Sequence, residues 1–462
     1  MHSIDKYYIG GQWVAPAPGG RIADIVNPAT EMVIGKLAMG VPEDVNRAVA
    51  AARAAFPAWS ATSREERLVL LRRLLERYKA RLDDVAVAVH QEIGAPLALC
   101  KPLQAPLAAH GLESAIDALE QIEVVTRLGS TTEVVKEPIG VAALITPWNY
   151  PAASVSGKVG YALAAGCSVV LKPSEFAPLD ARIFAEAIDA SGFPAGVFNM
   201  VFGEGSVVGA ALARHPDVDV ISITGSTRAG IQVAIDSAPT VKRVLQELGG
   251  KSPFLILDDA DLNSAVKDGV MSVMMNSGQT CVAPTRVLVP RRLQDQAIDI
   301  AASVAGKLKV GDPARPENKL GSVANRAQFE KVQRLIGIGI EEGAQLVVGG
   351  PGRPEGEDRG YFVRPTVFAN VKNDATIARE EIFGPVLAMI PYDSDEEAIS
   401  IANDTEYGLA AYVWSGDMAR ARRVAARLRA GTVRINGVMT QSNAPFGGYK
   451  RSGNGREHGV YG

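Results

Sequence analysis

Short apolar runs separated by stretches of helical length dominate the chain from Val141 onward. V-A-A-L-I-T, S-V-V-L-K, V-F-N-M-V and V-D-V-I-S-I-T come first, an order that predicts parallel strands alternating with helices. A second series begins at Pro253, with P-F-L-I-L, T-R-V-L-V-P, P-V-L-A-M-I, A-A-Y-V-W and T-V-R-I-N interleaved with helices. It predicts a second α/β unit. Upstream the period changes. Val45, Ala48, Val49, Ala52 and Phe56 follow helical spacing, and Ser63-x-x-Glu66 is a capping-box signature ahead of Leu68, Leu71, Leu75 and Tyr78. The first 120 residues therefore read as mainly helical. Residues 121–138 carry two polar, β-rich runs, Q-I-E-V-V-T-R-L and T-T-E-V-V-K-E-P, joined through Gly129-Ser130. That is the pattern of a hairpin too polar to lie in a core.

Composition narrows the partners more than the fold. At 462 residues the chain exceeds what one hydrophobic core supports, which implies two or three domains. With 47% hydrophobic and 21% charged residues and no apolar run long enough to span a bilayer, it reads as globular, without a membrane segment. The start, M-H-S-I-D-K-Y-Y-I-G-G, lacks the basic-then-apolar order of a secretory signal and the Arg-rich pattern of a transit peptide, so a cytoplasmic location is expected. Cys100, Cys167 and Cys281 lie far apart with no C-x-x-C, and the five histidines are scattered, so neither a disulfide framework nor a metal cluster is indicated. A formal charge of −3 with dispersed Lys and Arg gives no footprint for nucleic acid or anionic lipid. The partner is expected to be a small molecule.

In open α/β sheets, ligands bind beyond the carboxyl ends of the strands. Here the strand ends carry polar clusters, T-P-W-N, K-P-S-E, F-G-E-G and T-G-S-T, all aimed at one site. Gly203-x-Gly205-x-x-x-Gly209 misses the dinucleotide fingerprint by one residue, and Gly225-x-x-x-x-Gly230 departs further. Thr224-Gly225-Ser226 is better placed, because it ends a strand and opens a helix whose N–H groups and dipole favour a phosphate. Glu175 is positioned to accept from ribose hydroxyls, although Lys172 and Glu175 also suit a solvated loop pair.

One further stretch carries candidate chemistry. A lone intracellular cysteine is usually a small buried hydrophobe, which suits Cys100 and Cys167. Cys281 instead follows a polar turn, S-G-Q-T, where the backbone can open onto a cleft.

Taken together, T-P-W-N-Y-P (146–151), K-P-S-E (172–175), T-G-S (224–226), E-L-G-G-K-S-P (247–253), S-G-Q-T-C (277–281), E-E-I-F-G-P-V (380–386) and F-G-G-Y-K-R-S-G-N-G-R-E (446–457) give the chain a close resemblance to the NAD(P)-dependent aldehyde dehydrogenases, from about Tyr8 to Gly462. Seven strings in family order are far more specific than any glycine pattern above. The resemblance implies an α/β fold with a Rossmann-type cofactor domain (1–120 and 139–248), a second α/β catalytic domain (249–440), and a small β oligomerisation arm with the C-terminal segment (121–138 and 441–462).

It implies chemistry as well. An aldehyde is a poor hydride donor until a nucleophile adds to it; the resemblance gives that role to Cys281. It assigns stabilisation of the alkoxide to the Asn149 amide and the Cys281 N–H, and hydrolysis of the resulting thioester to water activated by Glu247. Lys158 and Glu457 match a proton-relay pair, a role that a simple ion pair would mimic. Implied cofactor contacts are Ile145, Thr146, Pro147, Trp148, Lys172, Ser174, Glu175, Gly205, Thr224, Gly225, Ser226, Leu248, Gly249, Gln328, Lys331, Glu381 and Phe383. No metal is implied. A carboxylate at Glu175 would repel a 2′-phosphate, which favours NAD over NADP.

The family implies a homodimer or homotetramer. Its members usually continue one or two dozen residues past the position of Gly462, adding a strand to the arm; either the sequence is trimmed there or the protein lacks that strand, and an arm left as the 121–138 hairpin alone would expose an unpaired edge. Ile223 stands where the family often has Phe. Candidate pocket residues Tyr150, Gly157, Thr280, Val282 and Val438 to Ser442 are small or apolar more than charged, which leans toward an uncharged aliphatic or aromatic aldehyde. Two alternatives stay open: an acylating enzyme that passes the thioester to a thiol, which Glu247 argues against, and a non-catalytic relative, which the joint presence of Asn149, Glu247 and Cys281 argues against.

Overall fold

A computed structural model describes residues 1–441 and 443–462. Two sheets organise it. The first has eight strands in the order Gly453–Asn454, Arg243–Glu247, Val220–Thr224, Val141–Ile145, Ser168–Lys172, Phe198–Met200, Tyr7–Ile9 and Gln12–Val14. Its five central strands are parallel, while Gly453–Asn454 and Tyr7–Ile9 add antiparallel edges. The second has seven strands, from Gln345–Val348 at one edge through Thr366–Ala369, Val386–Tyr392, Arg286–Pro290, Pro253–Ile256 and Ala410–Trp414 to Thr432–Ile435. Only its Gln345–Val348 edge runs antiparallel.

The runs read as strands are strands, and their continuous apolarity has a direct cause. Successive side chains point to opposite faces, and helices cover both faces. In the second sheet Leu255 and Leu288 pack in one buried cluster, while Phe254, Ile256, Val287 and Val289 pack in another across the sheet. A single cluster that includes Tyr7, Val49, Leu71, Val141, Val169 and Ile221 forms the core of the first unit.

Three local readings need correction. The first 38 residues are not helical: they form short strands, of which His2–Ile4, Met32–Ala38 and Ile22–Asn27 make a separate sheet. Three-residue strands such as Tyr7–Ile9 and Gln12–Val14 are too short to establish a period of two against the helical periodicity that follows. Helix Pro42–Ser60 buries Val45, Ala48, Val49 and Ala52 as expected, but Trp59 rather than Phe56 completes the face. In helix Arg64–Lys79 the capping box forms as read, with Ser63 and Glu66 exchanging bonds, and Leu74 is buried in place of Leu75.

The 121–138 hairpin is present as Val125–Leu128 paired with Thr132–Val135, and Val125, Leu128, Val134 and Val135 are exposed. The C-terminal segment, grouped with that arm by sequence, adds Gly453–Asn454 to the eight-stranded sheet beside Arg243–Glu247. Ser442, the last of the candidate pocket residues, lies outside the described residues.

Candidate active site

The register of the first sheet brings its polar strand ends to one edge. Ile145 pairs with Lys172, Ile223 with Ile145, and Thr224 with Glu247. Thr146, Pro147, Trp148 and Asn149 follow directly and lead into helix Pro151–Ala164, whose Pro151 fixes the first helical position. Asn149 is thereby buried at the cleft.

The second unit delivers Cys281 to the same place. Helix Leu262–Met274 gives way to a turn in which Asn276, Ser277 and Gly278 all take positive φ, at 53°, 55° and 76°. Asparagine and glycine tolerate this conformation. At Gly278 the tolerance is essential, since a β-carbon would overlap the Gly384 carbonyl. The turn therefore packs directly on the loop that carries Glu381 and Phe383. Gly250 closes the third side, because a β-carbon there would stand 2.5 Å from the Cys281 carbonyl oxygen. Cys281 is half-buried, whereas Cys100 and Cys167 are buried. Burial, with the nearby Glu381 and Glu247 carboxyls, pushes the Cys281 thiol up to about 12, against the N–H groups of Cys281 and Val282, which favour the thiolate.

A chain of buried amides joins Asn149 to the cysteine turn. Asn149 Nδ2 donates to the Gln279 carbonyl at 3.1 Å. Asn276 Nδ2 donates to the Asn149 carbonyl at 2.9 Å and to Gln279 O at 3.3 Å. Gln104 Nε2, at the end of the π-helical turn Cys100–Gln104, donates to Asn276 Oδ1 at 3.1 Å and to the Asn149 carbonyl at 3.5 Å. Gln279 is held in turn, its Nε2 on the Asn276 carbonyl and its Oε1 accepting from the Ala324 N–H. The Tyr150 hydroxyl meets Thr280 Oγ1 at 3.2 Å.

Glu247 ends its strand buried, and neither carboxyl oxygen has a hydrogen-bond partner among the described residues. Burial first, then the Glu457 carboxylate, push it up to about 9, opposed by Lys158 and Arg456. Behind it lies a polar group. Lys158 pairs with Glu457, and Ser222 bridges them, accepting from Lys158 Nζ at 2.7 Å and donating to Glu457 Oε1 at 2.9 Å. Burial alone would raise Glu457, but Lys158, His458 and Ser222 hold it below the usual range.

The expected cofactor residues divide into two groups along the cleft. On the first-sheet side, Lys172 is buried and bonds Glu175 Oε2 at 3.2 Å and the Pro173 carbonyl at 2.8 Å, so the pair is not a freely solvated one. Ser174 accepts from the Phe176 N–H. A side chain on Gly205 would meet open space. Ser226 caps helix Thr227–Ser237 by accepting from the Ala229 N–H at 3.3 Å, whereas the Gly225 N–H is spent on the Glu247 carbonyl at 3.0 Å. Leu248 donates its N–H to Ser452 O, and the Gly249 carbonyl accepts from Ser452 Oγ.

On the second-unit side, Glu381 accepts from the Gly250 N–H at 2.9 Å, and Gly249 leaves it the room. Phe383, at φ 58°, meets Trp148 edge to face with ring centroids 5.4 Å apart. The Gln328 amide is committed to the carbonyls of Ile382 and Phe383 at 3.0 and 2.8 Å; it holds Phe383 in place. Lys331 is half-buried beside Glu381. These groups suit a dinucleotide, with an open helix N-terminus for phosphates and the Thr146 hydroxyl buried without a partner among the described residues.

Sequence reading missed Gln104, Asn276 and Ser222. Two of them left a faint signal. Ser222 is a polar residue inside the apolar run V-I-S-I-T, and Asn276 immediately precedes S-G-Q-T-C.

Residues 13–462 match the aldehyde dehydrogenase family. The chain is 51% identical over 463 residues to a 3-succinoylsemialdehyde-pyridine dehydrogenase of a Pseudomonas species, covering all of this chain and 97% of that protein. Among solved structures it is 52% identical to a cysteine-to-alanine mutant of aldehyde dehydrogenase C from Pseudomonas syringae, complexed with NAD+ and octanal, at TM-score 0.97 over 99% of this chain and 94% of that one. The aldehyde dehydrogenase of Mycobacterium tuberculosis, complexed with NAD+, is 40% identical at TM-score 0.96, with coverage of 100% and 96%. The chain belongs to the aldehyde dehydrogenase family, oxidoreductases of α/β fold that act on aldehydes. Among the described residues no helix is long and apolar enough to cross a membrane.

Proposed function

We propose that the chain oxidises an aldehyde to its carboxylic acid with NAD, through a thiohemiacetal and then a thioester on Cys281 that water, activated by Glu247, hydrolyses. One observation carries this reading: three loops bring a half-buried thiol, a buried amide tied to the thiol's own turn, and a buried carboxyl without a partner to one cleft. The Cys281 thiol loses its proton to solvent, and its sulfur bonds to the carbonyl carbon. The carbonyl oxygen gains negative charge, which the second Asn149 N–H and the Cys281 N–H stabilise. Thr146, Lys172, Glu175, the first turn of helix Thr227–Ser237 and Glu381 would hold NAD, which would supply the hydride acceptor. Glu247 then takes a proton from the water that attacks the thioester carbon, and Cys281 leaves as thiolate.

The raised thiol suits an enzyme that keeps Cys281 protonated, and so protected from oxidation, until it is used. Lys158 and Glu457, bonded to each other and to Ser222 and acting on Glu247 through their charges, support a proton-relay role for that pair. Glu175, paired with Lys172, supports preference for NAD over NADP.

A cavity of about 90 Å³ beside Val282 is lined by Ala410, Pro445 and Phe446 together with Arg434, Gln441 and His458. Its apolar wall supports an uncharged aliphatic or aromatic aldehyde, in keeping with the octanal and the pyridine semialdehyde named for the relatives. The exposed valines of the hairpin support assembly into a homodimer or homotetramer, which light scattering would read as a multiple of 48.8 kDa. Three free cysteines suit the reducing cytoplasm; cell fractionation checks that location.

The test is NADH formation by wild type and Cys281→Ala on short aliphatic, long aliphatic, aromatic and carboxylated aldehydes, without coenzyme A, with products identified. Acid from the wild type and none from the variant supports the reading. NADH only on addition of coenzyme A, or full activity in the variant, overturns it.

A further inference from the structure

We infer that Gln104 and Asn276 are positioning residues for the oxyanion donor Asn149, acting through one buried chain of amides. The inference rests on the oxyanion role proposed above for Asn149. A carboxamide can be turned about its last bond, exchanging donor for acceptor, and only its partners decide which face points where. Gln104 decides for Asn276. By donating to Asn276 Oδ1 at 3.1 Å, it obliges Asn276 Nδ2 to face the Asn149 and Gln279 carbonyls at 2.9 and 3.3 Å.

Asn149 is then held at both ends, by its own carbonyl, which accepts from Asn276 Nδ2 at 2.9 Å and from Gln104 Nε2 at 3.5 Å, and by its side chain on Gln279 O at 3.1 Å. One of its two N–H bonds is spent on Gln279, which fixes the direction of the other. The same carbonyl lies two residues before Cys281, so donor and nucleophile share one anchor.

The backbone shows what supports this arrangement. Asn276 and Ser277 both occupy left-handed conformations, which persist where the surroundings over-determine them. The Ser277 hydroxyl is bonded to the Gly321 carbonyl at 2.9 Å. Gln104 itself ends a π-helical turn, Cys100–Gln104, a register irregularity frequent at functional sites. All three amide residues are buried, at 2%, 6% and 2% exposure for Gln104, Asn149 and Asn276. No bulk water competes for their bonds, so each orientation propagates to the next.

The experiment is single-turnover NADH formation, with NAD affinity measured separately by fluorescence, for Gln104→Met, Asn276→Ala, Asn149→Ala and the double variant Gln104→Met/Asn149→Ala. Asn149→Ala should slow NADH formation on the order of 10²–10³-fold, and Gln104→Met and Asn276→Ala on the order of 10-fold to 100-fold. NAD affinity should stay within about twofold in Gln104→Met and Asn276→Ala, whose side chains touch the amide chain and not the cofactor cleft. The double variant should be no slower than Asn149→Ala alone. Should Gln104→Met fail to fold, Asn276→Ala and its double with Asn149→Ala carry the same comparison.

A wild-type rate in Gln104→Met with a slow Asn149→Ala would overturn the inference while leaving the oxyanion role intact. So would losses that multiply in the double variant, since they would mark a general structural effect. A wild-type rate in Asn149→Ala would instead remove the oxyanion role itself.

Discussion

Gly447 exists as glycine because of Glu247. A β-carbon at Gly447 would stand 2.6 Å from Glu247 Oε1 and 2.8 Å from the Gly455 carbonyl, and the residue's φ of 151° is one that side chains rarely adopt. The F-G-G motif near the carboxyl end is therefore part of the room in which the proposed base works. Gly447→Ala should displace Glu247 and slow hydrolysis at least about 10-fold while sparing formation of the thioester. Stopped-flow mixing with aldehyde and NAD should show a retained NADH burst followed by a slower steady state; loss of the burst in step with the steady state would count against this division of roles.

Glu247 also sets a pH dependence. Pushed up to about 9 by burial and the Glu457 carboxylate, it is protonated at neutral pH and becomes a base as pH rises. Where hydrolysis limits turnover, kcat should rise with a midpoint near 9. Glu247→Gln should be slower by about 10²-fold or more and lack that rise. Glu457→Gln removes the second-largest cause of the shift and leaves Lys158, so its midpoint should move to lower pH. A midpoint unmoved by Glu457→Gln would show that the two carboxyls do not sense each other.

Away from the cleft, Asp180 and Glu92 share a buried site beneath helix Pro178–Ser191. Glu92 accepts from the Leu179 and Asp180 N–H groups, while both Asp180 oxygens and the Tyr78 hydroxyl have no partner among the described residues. Burial pushes Asp180 up to about 8 against the N–H groups of Ala181 and Asp180. Between its ordinary range and that value the unfolded chain binds fewer protons than the folded one, so stability falls as pH rises through this window. Asp180→Asn should flatten the fall, gaining melting temperature relative to wild type from pH 5 to pH 9. Parallel melting curves for the two proteins across that range would contradict the assignment.

Cofactor choice has its own test. Glu175→Gln should raise kcat/KM with NADP relative to NAD, since it removes the charge that opposes a 2′-phosphate but keeps a hydrogen-bonding group near Lys172. An unchanged ratio would place the discrimination elsewhere.

Most of the fold was legible because strands covered on both faces are written as unbroken apolar runs, and the two sheets consist largely of such runs. Tyr7–Ile9 and Gln12–Val14 were not legible, because Tyr7–Ile9 takes its strand character from pairing with Phe198–Met200 far along the chain and Gln12–Val14 pairs onto Tyr7–Ile9 in turn. The site followed a similar rule. Cys281, Asn149 and Glu247 stand in motifs and are picked out by them, whereas Gln104 stands in no motif and acquires its meaning through Asn149 and Asn276, 45 and 172 residues away. Gln328, which the resemblance implies as a cofactor contact, has its amide nitrogen on the backbone carbonyls of Ile382 and Phe383, a contact its place in the sequence does not announce.

The most direct measurement is mass spectrometry of the Glu247→Gln protein, quenched in acid shortly after mixing with NAD and octanal and then digested. A thioester awaiting hydrolysis predicts that the peptide carrying Cys281 gains the mass of the aldehyde less two hydrogens, and that Cys281→Ala protein gains nothing. An unmodified Cys281 peptide in protein that has nonetheless made one equivalent of NADH, or the same adduct on another residue, would contradict the covalent route through Cys281.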